Sequence, residues 1–143
     1  ERAFRAIEQE PPEVIILDEP FSCLDMLMRW ELGAILERLS VEGITVLICS
    51  HDLDFAYEWA DRWHIIAAGR VAASYEVVEV PHVLPQLAAL GLSAPKVAEL
   101  YQEMVAAGFL SHTDPPPRSH ADLLVRIKQS GRECVRIQAV PGN

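Results

Sequence analysis

Long apolar runs are missing from this chain. The most hydrophobic stretches, such as Ile44–Cys49, are only a few residues long. A bilayer-spanning helix needs about 20 apolar residues, so none is expected here. No charged-then-apolar N-terminal segment resembles a signal peptide. Cysteine is scarce. Cys23, Cys49 and Cys134 are odd in number, widely spaced and form no C-x-x-C, so a disulfide framework is excluded and reduced thiols are expected. Positive charge is also short: 12 Lys and Arg face 21 Asp and Glu, for a net charge of −9. That balance argues against nucleic acid as a partner. The deficit is uneven, because residues 118–143 carry Arg118, Arg126, Lys128, Arg132 and Arg136 against only Asp122 and Glu133. This basic end reads as a solvated helix face.

What is present is enough for a core. Half of the 143 residues are apolar and mean hydropathy is +0.13, which excludes a disordered chain. The most informative run is Val14-Ile15-Ile16-Leu17-Asp18-Glu19-Pro20. Four apolar residues predict a strand buried on both faces, as in a parallel sheet. An unpaired carboxylate in a buried strand is very costly, so Asp18 and Glu19 are placed at its carboxyl end. Open α/β sheets bind ligands at that end. Two adjacent acids suit phosphoryl transfer, one holding Mg²⁺ and the other orienting or deprotonating an attacking water.

The pattern predicts further elements in order. Glu1–Gln9 reads as a helix without an N-cap, stopped before Pro11-Pro12. Leu27–Leu39 reads as an amphipathic helix with Leu27, Trp30, Ile35, Leu36 and Leu39 facing a core. Ile44–Cys49 is a second strand, which completes a right-handed βαβ unit and ends in Ser50-His51-Asp52. Asp54–Ala60 is a short helix opened by Asp52 as a cap, and His64–Ala67 with Arg70–Tyr75 forms a hairpin around Ala68-Gly69. Pro81–Leu90, Ala94–Ala107 and Ser119–Gln129 are expected helices, separated by Gly91, Gly108 and the run Asp114–Pro117, read as a hinge or boundary. Leu87, Leu90, Val97, Leu100, Met104, Val105, Leu123 and Leu124 offer more apolar surface than one short helix can hide, so they are expected to pack together, against the cassette or against a second copy, with a partner contact favoured. Trp30, Trp59 and Trp63 are expected to pack on helix faces. His64, His82, His112 and His120 lack ligand spacing and read as ordinary surface or core histidines.

Three elements stand in sequence: Leu17-Asp18-Glu19-Pro20, then Ser22-Cys23-Leu24-Asp25, then Ser50-His51-Asp52 after the next strand. Together they resemble the second half of an ATP-binding cassette (ABC) ATPase, with its Walker B, D-loop and H-loop. The resemblance is strongest over residues 12–75. It implies an α/β fold, part of a P-loop NTPase with a mostly parallel sheet, followed by a small α-helical C-terminal region. The implied boundaries are 1–80 for the cassette half and 81–143 for the extension. It also implies ATP and Mg²⁺ as ligands. Asp18 would reach the metal through a water, Glu19 would position and activate the hydrolytic water, and His51 would contact the γ-phosphate. Ser22 would sit in the D-loop turn, and Asp25 would lie at a dimer interface. Phe21 departs from the family, where a small or hydroxyl residue is common.

No G-x-x-x-x-G-K-[ST] phosphate loop and no L-S-G-G-Q signature occur in these residues. Aligned on Walker B, the chain is expected to begin just after the signature and to be inactive alone, because the phosphate loop supplies the amides and Lys that hold the β/γ-phosphates. Residues Leu87–Leu100 resemble the region after the cassette in energy-coupling-factor ATPases, which points to import of cobalt or nickel ions or of a vitamin. The implied partners are a second ATPase subunit and integral membrane subunits, and the implied location is peripheral, on the cytoplasmic membrane face. Two alternatives stay open: a non-catalytic dimerisation or regulatory module, and an exporter or non-transport ABC ATPase.

Overall fold

The computed structural model describes residues 12–112 and 115–130. The helix expected over Glu1–Gln9, Cys134 and the basic residues Arg132 and Arg136 lie outside the described residues. The chain divides into two compact units, Glu1–His51 and Asp52–Asn143.

In the first unit, β1 (Val14–Asp18) pairs in parallel with β2 (Thr45–Cys49), from Val14 opposite Thr45 to Asp18 opposite Cys49. Helix α1 (Met26–Val41) connects them, as the strand–helix–strand pattern requires. Asp25 caps α1 by accepting the Met28 N–H. The other end closes in a Schellman turn: Ile44 N–H bonds Leu39 C=O and Gly43 N–H bonds Ser40 C=O, both at 3.0 Å. Gly43 takes φ 89° there, a conformation that disfavours any residue with a Cβ. Phe21, Leu36, Leu39 and Ile44 are buried.

Two expectations are corrected in this unit. Leu36 and Leu39 are core, but Leu27 is 69% and Trp30 75% exposed, beside exposed Met26 and Met28. Periodicity shows that a helix has an apolar face; it does not supply the surface that covers it. For the same reason β1 is not buried on both faces. Val14 is 52% and Ile16 67% exposed, while Ile15 and Leu17 are half-buried, because among the described residues this sheet has two strands.

In the second unit, α2 (Leu53–Trp59) opens on Asp52, whose carboxylate accepts the Phe55 N–H. β3 (Arg62–Ala67) and β4 (Arg70–Glu76) form the antiparallel hairpin. Ala68 at φ 50° and Gly69 at φ 73° make the left-handed two-residue turn that matches strand twist. Trp63 therefore lies on a strand, not a helix face; it is buried and donates its indole N–H to Ala56 C=O. The helix expected over Pro81–Leu90 splits into a 3-10 turn, Val77–His82, and α3 (Leu84–Ala89). α4 (Lys96–Ala106) and α5 (His120–Gln129) follow, with Ser119 capping α5.

One core joins the hairpin to these helices: Tyr57, Trp63, Val77, Val80, Leu87, Val97, Ala98, Tyr101, Leu110 and Leu123. Leu87, Val97 and Leu123 are thus buried within their own unit, Met104 and Val105 pack against it, and Leu90, Leu100 and Leu124 stay exposed. The proline run is not a hinge. Pro116 and Pro117 are buried, the Tyr57 hydroxyl donates to Pro117 C=O at 2.8 Å, and Arg118 donates to the carbonyls of Tyr57 and Ala60 at the end of α2. Arg126 donates to Pro115 C=O at 2.8 Å. Within the basic end, Arg118 and Arg126 therefore bind backbone carbonyls and do not form a solvated face. A guanidinium's fixed fork of donors suits that use.

Candidate functional site

The site is built where β1 and β2 end side by side. Parallel pairing in register brings Asp18 opposite Cys49, and the ladder runs one residue further through Glu19 N–H to Cys49 C=O at 2.8 Å. The chain then turns sharply. Glu19 has φ 45°, a left-handed conformation costly for a side chain of this kind, on the order of 1–2 kcal/mol. Its carbonyl accepts the Ser22 hydroxyl at 2.9 Å and the Ser22 N–H at 3.2 Å. The backbone is thereby held in the turn.

The Glu19 carboxylate meets the end of β2. Oε1 accepts the His51 N–H at 3.0 Å and lies 2.7 Å from His51 Nδ1. Oε2 accepts the Ser50 hydroxyl at 3.3 Å. The His51 ring beside it is the main reason the Glu19 carboxyl sits below its ordinary value; partial desolvation opposes that shift, and the His51 amide and Ser50 hydroxyl add to it. A carboxylate held low is a weak proton acceptor and a firm orienting acceptor. Because an ionised carboxylate only accepts, Nδ1 carries the proton, on a ring that is largely exposed.

Of the residues expected at the site, Glu19 and His51 are in direct contact, and Ser22 fixes the turn beneath Glu19. Asp18 is the exposed last residue of β1. Asp25 is placed at the head of α1, where its carboxylate serves as the cap. Ser50 was not singled out by sequence reasoning. Its signal was its position, one residue before the histidine at the end of a strand.

The donor set fits Mg²⁺ in one way only. Among the described residues no three or more His, Cys, Asp or Glu side chains gather to hold a metal. In phosphoryl transfer Mg²⁺ takes one or two carboxylates and completes its shell with water and phosphate oxygens. Asp18, an oxygen donor at the sheet's ligand-binding end, fits that partial role.

The chain is 40% identical over 94 residues to the energy-coupling factor transporter ATP-binding protein EcfA of Carboxydothermus hydrogenoformans, covering 64% of this chain and 34% of that protein. It is 32% identical over 126 residues to EcfA2 of Methanospirillum hungatei, covering 88% of this chain and 31% of that one. The chain is a homologue of ABC transporter ATP-binding proteins. A third such ATP-binding protein, EcfA2 of Lacticaseibacillus paracasei, is 34% identical over 113 residues, or 78% of this chain and 38% of that one. The chain thus spans about a third of the length of these ABC relatives. No family model matches it.

Proposed function

We propose that these residues supply the water-orienting half of the ATP hydrolysis site in an ABC-type importer ATPase. The observation that carries the reading is the Glu19 carboxylate, pinned at the ends of two parallel strands by His51 and Ser50. In this reading Glu19 orients the attacking water and Asp18 holds Mg²⁺ through a water. His51 touches the γ-phosphate through Nε2. Mg²⁺ held there by Asp18 would neutralise charge developing on the phosphate oxygens. Ser22 and Asp25 form the D-loop, with Asp25 near a second ATPase subunit.

Residues 1–80 then form the C-terminal half of the cassette, and 81–143 its helical extension. The solute is a small one, cobalt or nickel ions or a vitamin, by analogy with the energy-coupling-factor relatives. Partner membrane subunits would hold the protein at the cytoplasmic face of the membrane. Among the described residues no helix is long and apolar enough to cross one.

The 143 residues contain no phosphate loop, so calorimetric titration of this chain with Mg·ATP should give millimolar affinity or no heat. Micromolar binding would show that the backbone amides of a phosphate loop are dispensable and would overturn the reading. The coding sequence upstream offers a second check, since it should continue into a phosphate loop and a signature.

A further inference from the structure

We propose that His82 and His112 form a surface site for a divalent transition-metal ion such as Ni²⁺, separate from the Glu19–His51 site. The two histidines are 30 positions apart and have no ligand spacing in the sequence. The fold brings them together. His82 ends the 3-10 turn Val77–His82, His112 follows α4, and their ring centres lie 5.9 Å apart with planes 38° from each other. Two cis imidazoles on one ion, with metal–nitrogen distances near 2.0–2.1 Å, place their ring centres roughly 4.5–5 Å apart. Both side chains are exposed, so a small rotation of either closes the difference.

Each ring also has a neighbour that orients it. Buried Tyr101 meets His112 edge-on, with centres 6.4 Å apart. The Gln102 amide stands 3.5 Å from His82 Nδ1. The near atom is the Gln102 amide nitrogen, and the contact orients the His82 ring. Imidazole nitrogen favours Ni²⁺, Cu²⁺ or Zn²⁺ over Mg²⁺ or Ca²⁺. Two protein ligands leave the remaining positions to water, so the site loads reversibly. A second, pre-placed imidazole raises millimolar affinity roughly a hundredfold.

The test uses the full chain at pH 7.5 and Ni²⁺ as the probe. Calorimetry should give one site with an affinity on the order of 10 µM. Paramagnetic broadening should appear first on the ring protons of His82 and His112. His82→Asn and His112→Phe should each weaken binding at least tenfold, and the double variant should be little worse than either single one. His112→Phe keeps the ring contact with Tyr101, so a loss of binding there cannot be ascribed to unfolding. His64→Ala and His120→Ala should change nothing. Unchanged affinity in either His82 or His112 variant, or equal broadening of all histidines, overturns the proposal.

Discussion

Removing the Tyr57 hydroxyl tests how the C-terminal segment is held. Tyr57 is 1% exposed and its hydroxyl donates to Pro117 C=O at 2.8 Å. Tyr57→Phe keeps the ring in the core and leaves that buried carbonyl without its donor. The cost of an unsatisfied buried acceptor is about 1–3 kcal/mol. For a cooperative unit of 60–100 residues, 1 kcal/mol moves Tm by roughly 4–8 °C, so a loss of about 4–24 °C is expected. Urea denaturation followed by Trp63 fluorescence would read the same loss as a lower midpoint at unchanged slope. Arg118→Ala removes the donors to Tyr57 and Ala60 carbonyls from the same segment. The two changes should therefore be non-additive, with a coupling of about 0.5–3 kcal/mol in a double-mutant cycle. Burial pushes the Tyr57 phenol well above its ordinary value. A group raised in the folded state gives stability that is complete below its unfolded value and is lost as pH rises. Wild-type stability should thus hold to about pH 10 and fall above it. Tyr57→Phe should lack this term. A destabilisation below about 0.5 kcal/mol, or strictly additive variants, would refute the clasp.

Two further outcomes follow from the geometry. In a complete ATPase carrying these residues, Ser50→Ala should release Glu19 Oε2 and lower kcat several-fold with KM for ATP little changed, whereas Ser50→Thr, which keeps the hydroxyl, should restore it; a KM effect alone would assign Ser50 to nucleotide binding. Helices α4 and α5 leave Leu100 and Leu124 exposed, so Leu100→Glu with Leu124→Glu should weaken self-association of that ATPase in sedimentation while leaving the fold intact, and an unchanged dimer would remove this face from the interface.

The site was more legible in the sequence than the packing was. An apolar run ended by two acids locates a strand end, since buried carboxylates are so costly, and Asp18, Glu19 and His51 fall at paired strand ends. The positive φ of Glu19 and the role of Ser50 depend on three-dimensional pairing and leave no periodic trace. Leu27 and Trp30 show the opposite failure, because a helical stripe specifies a face without its cover. The proline run failed for a related reason. Composition marked Asp114–Pro117 as a hinge or boundary, yet Pro117 C=O accepts the Tyr57 hydroxyl and neighbouring Arg118 donates to Tyr57 C=O, which anchors the end of the run. The helices after residue 80 share a core with Trp63 and Tyr57, a long-range contact that no local pattern encodes.

The most direct measurement is steady-state ATP hydrolysis by the complete ATPase carrying Glu19→Gln. The amide keeps the side chain's shape and can still accept one bond, but it loses the carboxylate that faces His51 and the water. Mg·ATP binding should survive while turnover falls about a hundredfold or more, as expected when the group that positions the attacking water is lost. Turnover within a few-fold of wild type, with binding intact, would contradict the assignment of Glu19 as the residue that orients the hydrolytic water.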